Sequence, residues 1–122
     1  MSVSIIGGSV SPSTALAFND QTGTTYTFVL TDSNNTLVTA SNASAQTYSI
    51  PTDATTNFPI GSQINIIQIG AGQVTIQAAT SGTTTVTSNG ATSASPKLRV
   101  QWSAATLIKK AANVWYVVGD IA

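Results

Sequence analysis

Residues Phe58 to Ala78 read FPIGSQINIIQIGAGQVTIQA, and their patterning decides the fold. Two apolar runs, Ser62–Ile69 and Gln73–Ala78, flank the tripeptide Gly70-Ala71-Gly72. The arrangement predicts strand, tight turn, strand. In the second run Val74, Ile76 and Ala78 alternate with Thr75 and Gln77, the period of a half-buried strand. In the first run Ile64 and Ile66 point to one face while Ile67 and Ile69 point to the other. Apolar groups on both faces predict burial on both, between layers of one domain or against a second subunit. Glycine adopts the positive φ angles of a tight hairpin without steric cost, so Gly70 and Gly72 are expected to close one here.

Working outward, Phe58-Pro59-Ile60-Gly61 marks a chain corner that feeds this unit. Upstream, Thr24–Leu30 predicts a strand with Tyr26, Phe28 and Leu30 on one face, joined through Asp32-Ser33-Asn34-Asn35 as a hairpin to Thr36–Ser41. Gln46–Ile50 is a further strand that stops at Pro51, which has no N–H to give a ladder. Downstream, Thr83–Thr87 is a short strand within a Ser/Thr-rich run. Lys97–Ser103 is amphipathic, with Leu98, Val100 and Trp102 expected to face the core and Lys97, Arg99 and Gln101 to face away. Ala104–Ala112 fits a short helix capped by Ser103 or a strand through Thr106–Lys110. The strand is preferred, because Ala112-Asn113 then turns directly into Val114–Val118. Turn signals recurring every eight to twelve residues or so suit an antiparallel β-sandwich or a small, jelly-roll-like barrel with little or no helix. The domain is expected at 19–122, after an arm at 1–18 whose Val3, Ile5 and Ile6 form an edge strand or dock on a neighbour.

Composition points the same way. The 122 residues include four Lys+Arg, four Asp+Glu and no His, so 7% are charged where about a quarter is usual. Helix surfaces draw on Glu, Lys and Arg, whereas the Thr, Val, Ile and Tyr that dominate here suit a pleated surface. A near-neutral surface is a liability in a monomer and an asset in an interface, so the chain is expected to assemble with copies of itself.

The chemistry of catalysis is sparse. With no Cys there is no thiolate nucleophile or metal ligand, and Asp20, Asp32, Asp53 and Asp120 are spread along the chain with no base beside the abundant Ser and Thr. No enzyme activity, cofactor or metal is therefore expected; a calcium site from Asp20 or Asp32 with Asn34 and Asn35 would be thin in charge. Asp32 and Asp53 read as residues capping their own turns. No basic patch is large enough for nucleic acid, and no apolar run is long enough for a membrane span. The start, MSVSIIGGSVS, lacks the cationic region of a secretory signal. Lys97, Arg99, Lys109 and Lys110 are the one cationic grouping, either a solvated strand face or a contact with an acidic neighbour. Trp102, Trp115 and Tyr116 fit core positions, or an exposed row suited to stacking on sugars. The candidate subunit or partner contacts are thus Val3, Ile5, Ile6, Ile67, Ile69, Lys97, Arg99, Lys109 and Lys110.

The strings TGTTYTFVLTDSNNTLVTASNASAQTYSIP, FPIGSQINIIQIGAGQVTIQA and LRVQWSAATLIKKAANVWYVVGDIA carry a resemblance. Over residues 19–122 the chain resembles a small β module of tailed-bacteriophage virion proteins, found in tail-fibre and minor tail proteins and in short stand-alone virion proteins. Its most specific parts are Phe58–Gly61, Gln68–Val74 and the Trp115–Asp120 ending. The resemblance implies a non-enzymatic, symmetric assembly, often a trimer. The module usually follows long fibre or anchoring segments, whereas here it follows about eighteen residues with no coiled-coil or collagen-like repeat. The expectation is therefore a capsid decoration (cement) protein made in the host cytoplasm, bound to the major capsid protein on the outer head. The alternative is a tail-fibre or spike module that recognises a host receptor or glycan.

Overall fold

The computed structural model describes residues 15–122, so Val3, Ile5 and Ile6 lie outside the described residues. Among the described residues the β-branched and aromatic runs form nine strands: β1 (Ala17–Gln21), β2 (Thr25–Thr27), β3 (Thr36–Ala40), β4 (Gln46–Ile50), β5 (Gln63–Gln68), β6 (Val74–Ala78), β7 (Thr85–Thr87), β8 (Ala104–Ala111) and β9 (Val114–Gly119). A six-stranded sheet has the order β1-β3-β5-β8-β9-β7, and a three-stranded sheet the order β2-β4-β6. The chain is all-β, with the two sheets enclosing one core.

Strand direction departs from the expected antiparallel, jelly-roll-like plan. β1, β3 and β5 run parallel, as do β2, β4 and β6. β5 and β6 are not a hairpin: they belong to different sheets, and residues 69–73 carry the chain from one layer to the other as an arch. Residues 22–24 and 41–45 do the same for the two earlier strand pairs, so three arches stack on one another. The expected hairpin between Thr24–Leu30 and Thr36–Ser41 is likewise replaced, because β2 and β3 lie in different sheets. The reason is packing. An arch turns the inner faces of its two strands toward each other, so Ile64 and Ile66 meet Val74 and Ile76 across the core, and all four are fully buried. A hairpin would lay the same side chains side by side in one sheet and leave them uncovered.

The glycines of the corner serve a purpose other than the one expected. Neither Gly70 nor Gly72 has a positive φ. A Cβ on Gly70 would overlap the backbone of Asn42, and one on Gly72 would overlap the carbonyl oxygen of Ser44. Absence of a side chain lets the third corner sit on the second. The contact is hydrogen-bonded: Gly72 N donates to Asn42 O at 2.8 Å and Gly70 N to Ala40 O at 3.1 Å. One layer further, Asn42 Nδ2 donates to Thr22 O at 2.8 Å. Buried Gln68 closes the corner from inside, accepting from Val74 N at 3.0 Å and donating to Gly70 O at 3.2 Å.

β8 and β9 complete the large sheet as an antiparallel hairpin, so the strand reading of Thr106–Lys110 and Val114–Val118 is borne out. Trp115 and Val117 point inward, and Trp115 packs edge-to-face on Phe58 with ring centroids 5.3 Å apart. Lys97–Ser103 is not a strand. Leu98 is buried and its N donates to Val74 O at 2.9 Å, but the chain then turns away and leaves Val100 and Trp102 exposed. Thr24–Leu30 also ends early, because Leu30–Asp32 forms a 3-10 turn in which the Asp32 carboxylate reaches back to accept from Val29 N at 2.9 Å. Leu30 is turned outward as a result.

Gly72→Ala should therefore lower the unfolding free energy by roughly 2–4 kcal/mol, because backbone must move on both sides of the corner. Gly82→Ala is the control: its φ of +85° faces open space, and a loss of about 1 kcal/mol is expected from the left-handed backbone alone. Urea unfolding followed by tryptophan fluorescence measures both.

Candidate interaction surface

In so charge-poor a chain, the place of each ionisable group tells what it can do. The four aspartates occupy four separate settings. Asp20 accepts from Thr39 Oγ1 at 2.6 Å on the outside of β1. Asp32 is buried and accepts from Tyr26 Oη at 2.6 Å and Asn19 Nδ2 at 2.7 Å. Burial, and next the bond to Asp32, raises the Tyr26 phenol above its ordinary value; burial and the Asp32 charge push Tyr48 up to about 12. Asn34 and Asn35 do not join Asp32, since Asn34 Oδ1 faces Gln63 N and Asn35 Nδ2 donates to Ala15 O. Among the described residues no three His, Cys, Asp or Glu side chains gather as a metal site.

Asp53 does not cap its own loop, as the sequence suggested. It reaches across the molecule to Lys109, and the two form an ion pair at 2.7 Å. Lys109 is only 2% exposed, so the reading of it as an outward cation in a surface contact is corrected. Its position explains this: in β8 it shares the inward row with Ala105 and Leu107 and pairs with Trp115. A buried ammonium is tolerable only when every N–H is satisfied. Here Asp53 Oδ1, Asn57 Oδ1 and Phe58 O accept at 2.7, 3.0 and 2.7 Å. Asp53 Oδ2 also accepts from Asn113 N at 3.1 Å, tying the loop before β5 to the β8–β9 turn.

The expected cationic grouping is dispersed in consequence. Lys110 is exposed beside the register shift in β8, and Lys97 Nζ lies 3.4 Å from Thr75 Oγ1 on the edge of the small sheet. Arg99 is engaged within the chain: Nε and Nη2 bind both oxygens of Asp120 at 2.7 and 3.0 Å. Arg99, aided by Ser103, holds the Asp120 carboxyl below the usual carboxylate range, while Asp120 raises the guanidinium.

What the fold gathers instead is a charge-poor outer face that mixes apolar and uncharged polar side chains, with Asp20 of β1 as a charged member. On the outside of the six-stranded sheet Phe18, Leu37, Asn65, Thr106 and Val118 are register partners across five strands. A neighbouring row runs Gln63, Ile108, Tyr116 and Thr87. Phe18 is 64% exposed, Val118 52% and Tyr116 41%. Half-buried Ile67 lies on this face in one register row with Asp20, Thr39 and Ala104, and Ile69 lies on the corner beside it. The face was partly readable in the alternation of Val114, Tyr116 and Val118, but Phe18 carried no such signal, since its strand mixes polar and apolar residues on both sides.

Of the aromatics, Trp115 is core, Tyr116 lies on the outer face, and Trp102 is 65% exposed in the turn before β8. No family model, no curated protein and no solved structure matches this chain.

Asp53→Ala strands the Lys109 ammonium in the core and should cost about 3–5 kcal/mol. Lys109→Met removes the charge but fits its apolar surroundings, and Asp53 retains some solvent access, so a smaller loss is expected. Thermal unfolding of both variants decides the order.

Proposed function

We propose that this chain is a structural protein of a tailed-bacteriophage virion, a capsid decoration protein that assembles with copies of itself, as a trimer, and braces the outer head by binding the major capsid protein. The observation that carries this reading is the charge-poor outer face of the six-stranded sheet, on which Phe18, Tyr116 and Val118 stand open to solvent. Tyr116 and Val118 are exposed side by side on β9, and exposed apolar area of this kind marks an interaction site when a partner covers it. A partner that buries it gains free energy in proportion to area, with little dependence on salt. The resemblance to the phage module supplies the setting.

A second reading, a tail-fibre or spike module that binds a host receptor or glycan, draws on one observation: Trp102 presents an indole of the kind that stacks on sugar rings. Copy number separates the two. Quantitative mass spectrometry of purified particles should find this chain at a level comparable with the major capsid protein. A handful of copies per particle would favour the tail reading, and absence from particles would overturn both.

A further inference from the structure

Trp102 has φ +73°, a left-handed conformation that glycine or asparagine adopts readily and a bulky side chain adopts rarely. The turn around it is fully engaged. Trp102 N donates to Gln68 O at 2.6 Å, and Ser103 N to Val100 O at 3.0 Å. Val100 N donates to Ser103 Oγ at 3.1 Å, Gln101 Nε2 to Ile69 O at 3.0 Å, and Ser103 Oγ to Asp120 Oδ2 at 2.6 Å. Every one of these bonds holds backbone or a neighbour, and none needs an indole. The chain thus accepts backbone strain in order to hold a large aromatic ring in water, from which the isolated domain gains nothing. A ring presented outward from a hydrogen-bonded turn, with exposed Val100 near it, has the large apolar area of a binding anchor.

The character of the anchor restricts what it meets. The charges in this turn, Arg99 and Asp120, neutralise each other, so an acidic or phosphorylated partner gains no free cation. An uncharged, apolar recess is what fits, and the same chain carries one. On the outer face a depression of about 330 Å³ is lined by Leu37, Asn65, Ala104, Thr106, Val118 and Gly119. Its lining includes the small residues Ala104 and Gly119 and no charged side chain.

We infer that Trp102 of one copy seats in the Leu37–Val118 depression of the next, and that this contact joins the copies of the assembly. The inference rests on the proposal that the protein self-associates. If only one Trp102 of a pair is seated, the contact is head-to-tail, the type that closes into a ring and suits three copies; reciprocal seating of both gives a two-fold dimer, and the sedimenting mass tells the two apart.

Sedimentation velocity and acrylamide quenching of the full chain across a dilution series test this. The wild type should sediment as an oligomer, and its quenchable tryptophan fraction should rise as the oligomer dissociates, since Trp115 is buried throughout. Trp102→Gly removes the anchor and relaxes the turn; Val118→Arg places a charge in the recess. Each should weaken self-association roughly tenfold or more, and Trp102→Gly should keep or raise the thermal midpoint. If Trp102→Gly fails to fold, Val118→Arg carries the test alone. A wild type that stays oligomeric with both variants equally so would overturn this contact and leave the assembly reading standing. A wild type that is monomeric at every concentration would overturn both. A monomer in which Trp102 is shielded at all dilutions would show the ring covered by its own chain and would likewise overturn the inference.

Discussion

Where the chain passes from β5 to β6, its backbone lies so close to the β3–β4 corner that Gly72 has no room for a Cβ against Ser44. The rest of the structure depends on that contact. Changing layers interrupts both sheet ladders at once, and the backbone groups freed there must find partners or cost free energy. The corners supply them to one another through Gly70, Gly72 and Asn42, and buried Gln68 supplies the remainder from within. With the corners stacked, parallel strands fall into register on both sides, and the apolar rows of the two sheets meet across the core. The buried Asp53–Lys109 pair does comparable work at a second place, fixing the loop before β5 against the β8–β9 turn.

Much of this was legible in the sequence. The alternation in Val74–Ala78, the proline stop after Ile50 and the strand pair at 104–119 follow from side-chain period and turn chemistry, which are local. Layer assignment is not local: a Gly-Ala-Gly between two strands serves a hairpin or an arch, and which forms depends on whether another corner lies beneath it. For the same reason Lys109 resisted reading. Its neighbours in sequence, Ile108 and Lys110, give no hint that Asp53, Asn57 and Phe58 wait on the inner side. Leu98, Val100 and Trp102 keep a strand's period, yet the pattern breaks after Leu98, where Arg99 N donates to Asp120 O and Val100 N to Ser103 Oγ.

The surface that remains has an uncommon distribution of cost. Charges are few and already paired or scattered, and the exposed polar surface is made mainly of hydroxyls and amides, while Phe18, Tyr116 and Val118 stand exposed on one sheet face. Trp102 adds strain to exposure. Neither feature stabilises the isolated domain, and both are accounted for if the folded chain is a unit of a larger assembly whose contacts cover them. On the proposed reading the virion is that assembly, and the charge-poor face is where each unit joins its surroundings.

The measurement that tests this most directly is hydroxyl-radical footprinting of the outer sheet, comparing the dilute chain with the chain in purified particles. Phe18, Tyr116 and Trp102 should be labelled in the dilute chain and protected in the particle, while exposed Ile60, at the corner before β5, serves as a reference away from the sheet face. Equal labelling of the sheet face in both states would mean that it stays open in the assembled virion, and would contradict the account.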